Sequence, residues 1–324
     1  MPAVTATAPA KIILFGEHAV VYGRPAIAVP VLEVKARAVV RAEPRAAPGS
    51  IQIQAPALDL SVAYQELPAE HPLGAAVRLV LEALEIHRPP ALSLRVTSTI
   101  PIAAGMGSGA AVSVAVLRAL STFLGNPLPD ERVCELAYRV EELYHGTPSG
   151  IDNTTITYAR PVFFIRGQPI QTLLVRETFT IVIGDTGVLS PTSISVGDVR
   201  RAWEAETVRY EALFDAAGSL AGEARQAIEA GDIVTLGPLM DENQRILVEM
   251  GVSSADLERL VQAARNAGAL GAKLSGGGRG GNMIALATPA TAAGIERALQ
   301  EAGAAYTLIT KIRQTQESEH SNGN

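Results

Sequence analysis

The sequence predicts an α+β protein of two domains, and three observations support that expectation. Its 324 residues fit two units at about 100–200 residues per domain. Segments rich in β-branched and apolar residues come first and then alternate with helical periodicity, whereas the chain closes on a β-β-α-β pattern preceded by helices, which fits a split-βαβ sandwich. Hydrophobic residues make up 48% of the chain, charged residues 19%, and mean hydropathy is +0.20. Substantial cores can therefore form, and a disordered or collagen-like chain is excluded.

In order, Thr5–Phe15, Leu32–Val40, Ile51–Gln54 and Leu92–Thr97 read as strands. His71-Pro72 precedes Leu73–Ile86, whose apolar residues return every three or four positions and predict a helix. A Pro-Gly turn over 101–107 leads into an Ala/Val/Leu-rich helix at about Ser108–Leu124, and a further helix spans Asp130–His145 with Asp130 as N-cap. A composition change near Gln168–Glu177 marks a boundary, giving an N-terminal domain over 1–175 and a C-terminal domain over 176–312. In the latter, Thr180–Asp185 is a strand, followed by helices at Val199–Ala217, Ser219–Ala230, Thr235–Met250 and Ser254–Ala267. Strands Ala272–Ser275 and Asn282–Ala287, helix Thr288–Ala302 and strand Tyr306–Thr310 complete it. The polar stretch 313–324 lacks apolar periodicity and is expected to be disordered.

A formal charge of −6 without any basic block argues against nucleic acid or an anionic membrane as partner. Any polyanionic ligand must be held by local geometry. The single cysteine, Cys134, excludes an internal disulfide and a CxxC zinc site and fits a cytoplasmic location. Within a predicted helix it reads as a small buried hydrophobe. The N-terminus lacks the pattern of a signal peptide. The most apolar stretch, Ala103–Leu117, is shorter than the ~20 residues of a spanning helix, so no membrane association is expected. Nothing in the sequence fixes the oligomeric state, and a homodimer is compatible with it.

The glycines gather in two clusters where no linker is needed. In PIAAGMGSGAA, Gly105, Gly107 and Gly109 alternate just ahead of and within a helix start, so a ligand can approach backbone amides closely beside a positive dipole end. That describes an anion cradle; a glycine-rich turn that merely eases helix packing is the plain alternative. Gly105-x-Gly107-x-x-Ala110 also matches a dinucleotide-binding string. However, Pro101 separates it from the preceding strand, it lies late in the chain, and no acidic residue ends a second strand ~20 residues on. No P-loop motif occurs. In the second cluster every residue from Gly276 to Gly281 except Arg279 is glycine, more than a hairpin needs. Close approach to a ligand or to the first loop is the natural reading, with Arg279 a phosphate clamp or a solvated loop charge.

Charged residues fall beside these clusters. KIILFGEHAVVYG puts Lys11 at the start of an apolar strand and Glu17-His18 just past its end. VEELYHGTPSGIDNTT puts Glu141 on a helix and Asp152 after a turn. Phosphoryl transfer needs a carboxylate to hold magnesium, another to receive or orient the acceptor proton, and a cation over the developing charge. Glu141, Asp152 and Lys11 could fill those roles, although each taken alone also fits a snorkelling lysine, a solvated helix face or an Asx turn. Adjacent Glu141 and Glu142 point ~100° apart on a helix, so only one can face a site.

Together the strings KIILFGEHAVVYGRPAIA, PIAAGMGSGAA, HGTPSGIDN and KLSGGGRGGN resemble the GHMP small-molecule kinases, in the family's order and over most of the chain. Within the family, GEHAVVYG with HGTPSGIDN is most similar to the members that act on mevalonate. The resemblance implies the two-domain GHMP kinase fold, with an N-terminal β-α domain and a ferredoxin-like C-terminal domain, and ATP with Mg2+ between them. It implies a catalytic base at Asp152 with Lys11 as its partner, lowering the alcohol pKa and stabilising the attacking oxygen. The phosphate loop would be Ala104, Gly105, Met106, Gly107, Ser108, Gly109, Ala110 and Ala111, with Glu141 and Ser108 as metal ligands. Glu17, His18 and Thr192 would face the small-molecule substrate mevalonate, and Gly276, Gly277 and Gly278 would form the third-motif loop. The implied reaction is ATP-dependent phosphorylation of the primary hydroxyl of mevalonate to 5-phosphomevalonate. Alternatives are a mevalonate 3-kinase, a phosphomevalonate kinase, a non-catalytic ATP sensor or a dinucleotide-binding dehydrogenase. Two departures stand out: Gly109 occupies a position where the family carries a metal-binding serine, so Ser108 or a water must serve, and Arg279 replaces one glycine of the third motif.

Overall fold

Strand β1 (Ala3–Phe15) starts half-exposed and becomes continuously buried from Ala10 onward, because its inner half is covered on both faces. It pairs antiparallel with β2 (Ala26–Ala42), with register shifts after Pro9 and Ile13. The computed structural model describes residues 3–101, 105–145, 148–190 and 192–315. Among them, β1 and β2 join β3 (Ile51–Ala55), β4 (Leu60–Ala63), β5 (Leu92–Ser98), β6 (Val162–Phe164) and β7 (Gln171–Thr172) in one sheet of order β4-β3-β5-β2-β6-β7, with β1 on β2. Only β3 and β5 are parallel in it, as the helix α1 (Pro72–Ala83) between them allows. Helices α2 (Ser108–Phe123), α3 (Asp130–His145) and α4 (Ile151–Tyr158) complete this half, with α2 packed on β1 and β2.

The second sheet contains β8 (Phe179–Asp185), β9 (Gly271–Leu274), β10 (Asn282–Ala287) and β11 (Tyr306–Ile312) in the order β11-β8-β10-β9. With helices α5 (Thr192–Ala205), α6 (Thr207–Ala230), α7 (Ile233–Glu249) and α8 (Ala255–Asn266) between β8 and β9, and α9 (Ala292–Glu301) between β10 and β11, this is the ferredoxin-like arrangement expected from the sequence. Its edge strand β9 is capped by α7. Asp241 Oδ1 accepts the Ala272 N–H at 3.0 Å and Gln244 Oε1 accepts the Leu274 N–H at 2.8 Å, so donors that an open edge would leave free are satisfied. A Cβ on Gly237 would lie 2.2 Å from the Leu270 carbonyl oxygen, so only glycine lets α7 approach this closely. The two sheets touch where Thr310 of β11 donates to Glu33 of β2 at 2.7 Å.

Several elements differ from the sequence reading, which names no strand at β4, β6 or β7. The helices expected at Val199–Ala217 and Ser219–Ala230 are divided at Glu206, where φ is −131°. Gly218 instead lies inside α6, where a Cβ would stand 3.1 Å from the Arg24 and Pro25 side chains, so this glycine serves packing rather than termination. Asp152 lies in the first turn of α4, a helix hidden in a Thr-rich string; Thr154 and Thr155 return their hydroxyls to the Gly150 and Ile151 carbonyls. Asp130 is the first residue of α3 and pairs with Arg118 of α2 at 2.6 Å. Of the tail expected to be disordered, Gln314 and Thr315 donate backbone N–H groups to Thr178 Oγ1 and the Val175 carbonyl; residues 316–324 lie outside the described residues. Among the described residues, no helix is long and apolar enough to cross a membrane.

Candidate active site

Three elements bring the first set of residues together. Lys11 leaves the buried half of β1 at 3% exposure. Its backbone N–H donates to the Met106 carbonyl at 3.0 Å, and its Nζ donates to the Gly105 carbonyl at 3.1 Å. The glycine loop is thus pinned to β1 at one residue through main chain and side chain. The same Nζ lies 3.1 Å from Asp152 Oδ1 on α4. Gly107 makes this possible: it caps α2 with φ 72°, and a Cβ there would meet Ile156 at 2.8 Å and the Lys11 side chain at 3.2 Å. The lysine's methylene stem runs through the gap that glycine leaves.

Glu141 of α3 faces the start of α2. A Cβ on Gly109 would lie 3.4 Å from Glu141 Oε1, so Gly109 and the carboxylate are in contact across the helix N-terminus. Burial, reinforced by the negative charge of Asp152, pushes the Glu141 carboxyl up to about 7, with Lys11 opposing. Ser108, Gly109, Ala110 and Ala111 form the first turn of α2; the Ala111 N–H donates to the Gly107 carbonyl at 2.9 Å, and the N–H groups ahead of it lie at the positive end of the helix. Ala104 lies outside the described residues.

The second set forms a seam between the halves of the molecule. Ser275 Oγ accepts the Ile13 N–H at 3.0 Å and donates to the Ile13 carbonyl at 2.9 Å. Glu17 is not exposed to a cleft: it is 1% accessible and forms an ion pair with Lys273 of β9, which also donates to the Leu274 carbonyl at 2.7 Å. Burial raises the Glu17 carboxyl and lowers the Lys273 ammonium, each against the partner's opposing charge. His18, at φ 61° and 5% accessible, faces the Gly277 carbonyl through Nε2 at 3.1 Å. A carbonyl only accepts, so Nε2 carries the proton; buried Nδ1 has no hydrogen-bond partner among the described residues. Desolvation lowers the His18 pKa to about 4.

The glycine loop between β9 and β10 reaches both sets. A Cβ on Gly276 would be 3.6 Å from the Gly105 carbonyl oxygen, and one on Gly277 would be 2.9 Å from Ser195 Oγ and 3.2 Å from Thr192 Oγ1. Gly276 and Gly277 thereby meet the first glycine loop on one side and α5 on the other. Gly278 packs against Val252. Arg279 is neither free in solvent nor directed at the first loop: it pairs with Asp198 of α5. Lys273, Ser275, Ser195 and Asp198 were not singled out from the sequence. Lys273 had a usable signal, since a lysine inside a short buried strand requires a partner.

A helix N-terminus with glycine loops from two halves of the chain, flanked by a lysine and two carboxylates, defines a phosphoryl-transfer class of site. The comparisons agree: the GHMP kinases N terminal domain matches residues 71–160 and the GHMP kinases C terminal matches residues 224–305, and the chain belongs to the GHMP kinase family. Its full-length relatives place it with the mevalonate kinases of that family. It is 38% identical to the mevalonate kinase of Pyrococcus abyssi over 95% of each chain. The structure of L. major mevalonate kinase in complex with R-mevalonate superposes with a TM-score of 0.81 at 30% identity, covering 96% of both chains. That of mevalonate kinase from methicillin-resistant Staphylococcus aureus gives 0.70 at 33%, covering 95% of this chain and 98% of that one. The family uses ATP, and the substrate class is a small molecule.

Proposed function

We propose that this chain transfers the γ-phosphoryl group of ATP to the primary hydroxyl of mevalonate, giving 5-phosphomevalonate. The observation that carries the reading is Lys11, whose ammonium touches both Asp152 and the Gly105 carbonyl of the phosphate loop. An acceptor hydroxyl bound against Asp152 gives its proton to that carboxylate as the oxygen attacks, and Lys11 stabilises the developing oxyanion. The first turn of α2 receives the nucleotide phosphates on its N–H groups. Thr192 and the loop at Gly276–Gly278 border the acceptor side, and Glu17 and His18 support it from beneath through the seam.

Magnesium fits the residues present. Burial first, and then the negative charge of Asp152, raise the Glu141 carboxyl to about 7 against the opposing charge of Lys11, so a cation bound beside it would favour its ionised form. Glu141, with Ser108 at the helix start, would hold the cation, which when bound neutralises the phosphate oxygens. The cytoplasmic location inferred from the lone cysteine belongs to the same proposal.

The test is a coupled ADP-release assay with mevalonate, phosphomevalonate, galactose and homoserine as acceptors, and phosphorus NMR of the product. Turnover on mevalonate with phosphate on the primary oxygen is expected. Preference for phosphomevalonate, or phosphorylation of the tertiary hydroxyl, overturns the assignment.

A further inference from the structure

Arg279 stands in the glycine loop with φ 61°, a conformation that glycine adopts freely and arginine does not. Its flanks are tightly enclosed, since a Cβ on Gly278 would lie 2.1 Å from the Val252 carbonyl oxygen and one on Gly280 2.5 Å from that of Val188. The Arg279 side chain is equally engaged. Its guanidinium pairs with Asp198, its Nε donates to the Gly251 carbonyl at 3.4 Å, and its backbone N–H donates to the Val252 carbonyl at 2.7 Å. Asp198 also takes Arg201 from its own helix.

Thr192, Ser195 and Asp198 follow at three-residue intervals and are neighbours along one side of α5. Thr192 and Ser195 meet Gly277, and Asp198 meets Arg279. The first half of α5 therefore lies along the glycine loop, with the ion pair fastening its far end. Backbone bonds also join Gly281 to residues 186 and 188, which precede the helix.

We propose that Arg279 is a positioning residue that latches α5, the helix bordering the acceptor, to the glycine loop beside the phosphate loop. The inference rests on the acceptor reading proposed above. With the latch closed, Thr192 is held in place before the acceptor arrives; with it open, ordering α5 falls to the binding step and weakens acceptor affinity in proportion to the competent fraction. The pair is partly exposed, so the effect is modest, about three- to fivefold, and is weakened by salt.

The experiment compares the full-length wild type with Arg279→Gly, Asp198→Asn and the double variant, by steady-state kinetics and thermal unfolding. Arg279→Gly is expected to raise KM for mevalonate about three- to fivefold, with kcat and KM for ATP within about twofold. The unfolding midpoint should be equal or higher, because glycine relieves the left-handed backbone. Asp198→Asn should reproduce the KM effect, and the double variant should be no worse than either single one. An unchanged KM for mevalonate in Arg279→Gly overturns the latch, as does additivity in the double variant. A rise confined to KM for ATP overturns it in favour of a direct phosphate contact. A general loss of kcat, both KM values and thermal stability overturns it in favour of a structural role. Wild type without turnover on mevalonate overturns the functional reading and the latch together, whereas active wild type with an indifferent Arg279→Gly overturns the latch alone.

Discussion

The string KIILFGEH delivers charged residues to two regions that treat them in opposite ways. At its start, Lys11 meets Asp152, whose side chain is 34% exposed, and the pair opens toward the first turn of α2. At its end, Glu17 meets Lys273 with both side chains at 0% exposure, and His18 is closed against Gly277. The first region keeps a carboxylate open to solvent; the second buries both of its charges where the end of β1 meets β9. Residue type does not separate these roles. Accessibility does, and it depends on where the second half of the chain lies.

The sharpest way to break the comparison is Asp152→Asn. The amide still hydrogen-bonds but does not take the acceptor proton, so kcat should fall by about 10²–10⁴-fold while stabilisation of the fold by ATP persists. A coupled assay and thermal unfolding with nucleotide check both halves of the statement. Retained turnover would remove Asp152 from the base role.

Lys273→Met should act in the opposite manner, through stability. It leaves Glu17 buried without its partner, at a cost of about 3–5 kcal/mol, and denaturant unfolding measures the loss. Pairing it with Glu17→Gln should recover much of that stability, because replacing both members removes the uncompensated charge. If the single variant is as stable as wild type, the seam is not held by this pair.

How far these two regions were legible in the sequence follows from the same difference. Lys11, Asp152 and Glu141 sit in short strings whose residue types point to phosphoryl transfer, and the resemblance assigned them roles that the structure makes sterically possible. Both sheets were anticipated in outline, since alternation and helical periodicity are local signals. The seam was not legible, because Glu17 and Lys273 are 256 positions apart and neither string announces the other. Gly218 misled for a related reason: a glycine that breaks a helix and one that admits Arg24 and Pro25 look alike until the neighbour is known. The helix carrying Asp152 was missed because its threonines have weak helix propensity and two of them bond back to their own helix.

The seam also predicts a pH response. His18 has a pKa of about 4 when folded against 6.5 in the reference state, so between these values the unfolded chain binds more protons. Stability attributable to His18 is complete above about pH 6.5 and falls as pH drops toward 4, by up to about 3 kcal/mol in total. His18→Asn removes the titrating ring yet tolerates φ 61° and can donate to Gly277. Urea unfolding at pH 7 and pH 4.5 should show a smaller loss for His18→Asn than for wild type; equal losses would mean that His18 is protonated in the folded protein.

The smallest expected effect sharpens the accessible region. Gly109 occupies the second position of α2, and a Cβ there would stand 3.4 Å from Glu141 Oε1, ordinary contact that needs no rearrangement. Gly109→Ser should therefore fold, and it should gain a few tenths of a kcal/mol from replacing glycine in a helix. Its hydroxyl would lie beside the carboxylate proposed to hold magnesium, adding an oxygen at the contact between Glu141 and the start of α2. The expected outcome is a severalfold lower magnesium concentration for half-maximal activity, with kcat at saturating magnesium little changed. A magnesium titration of the ADP-release rate decides it. If the requirement is unaltered, the cation is not held at the contact between Glu141 and the start of α2, and the elevated carboxyl of Glu141 reflects its burial beside Asp152 alone.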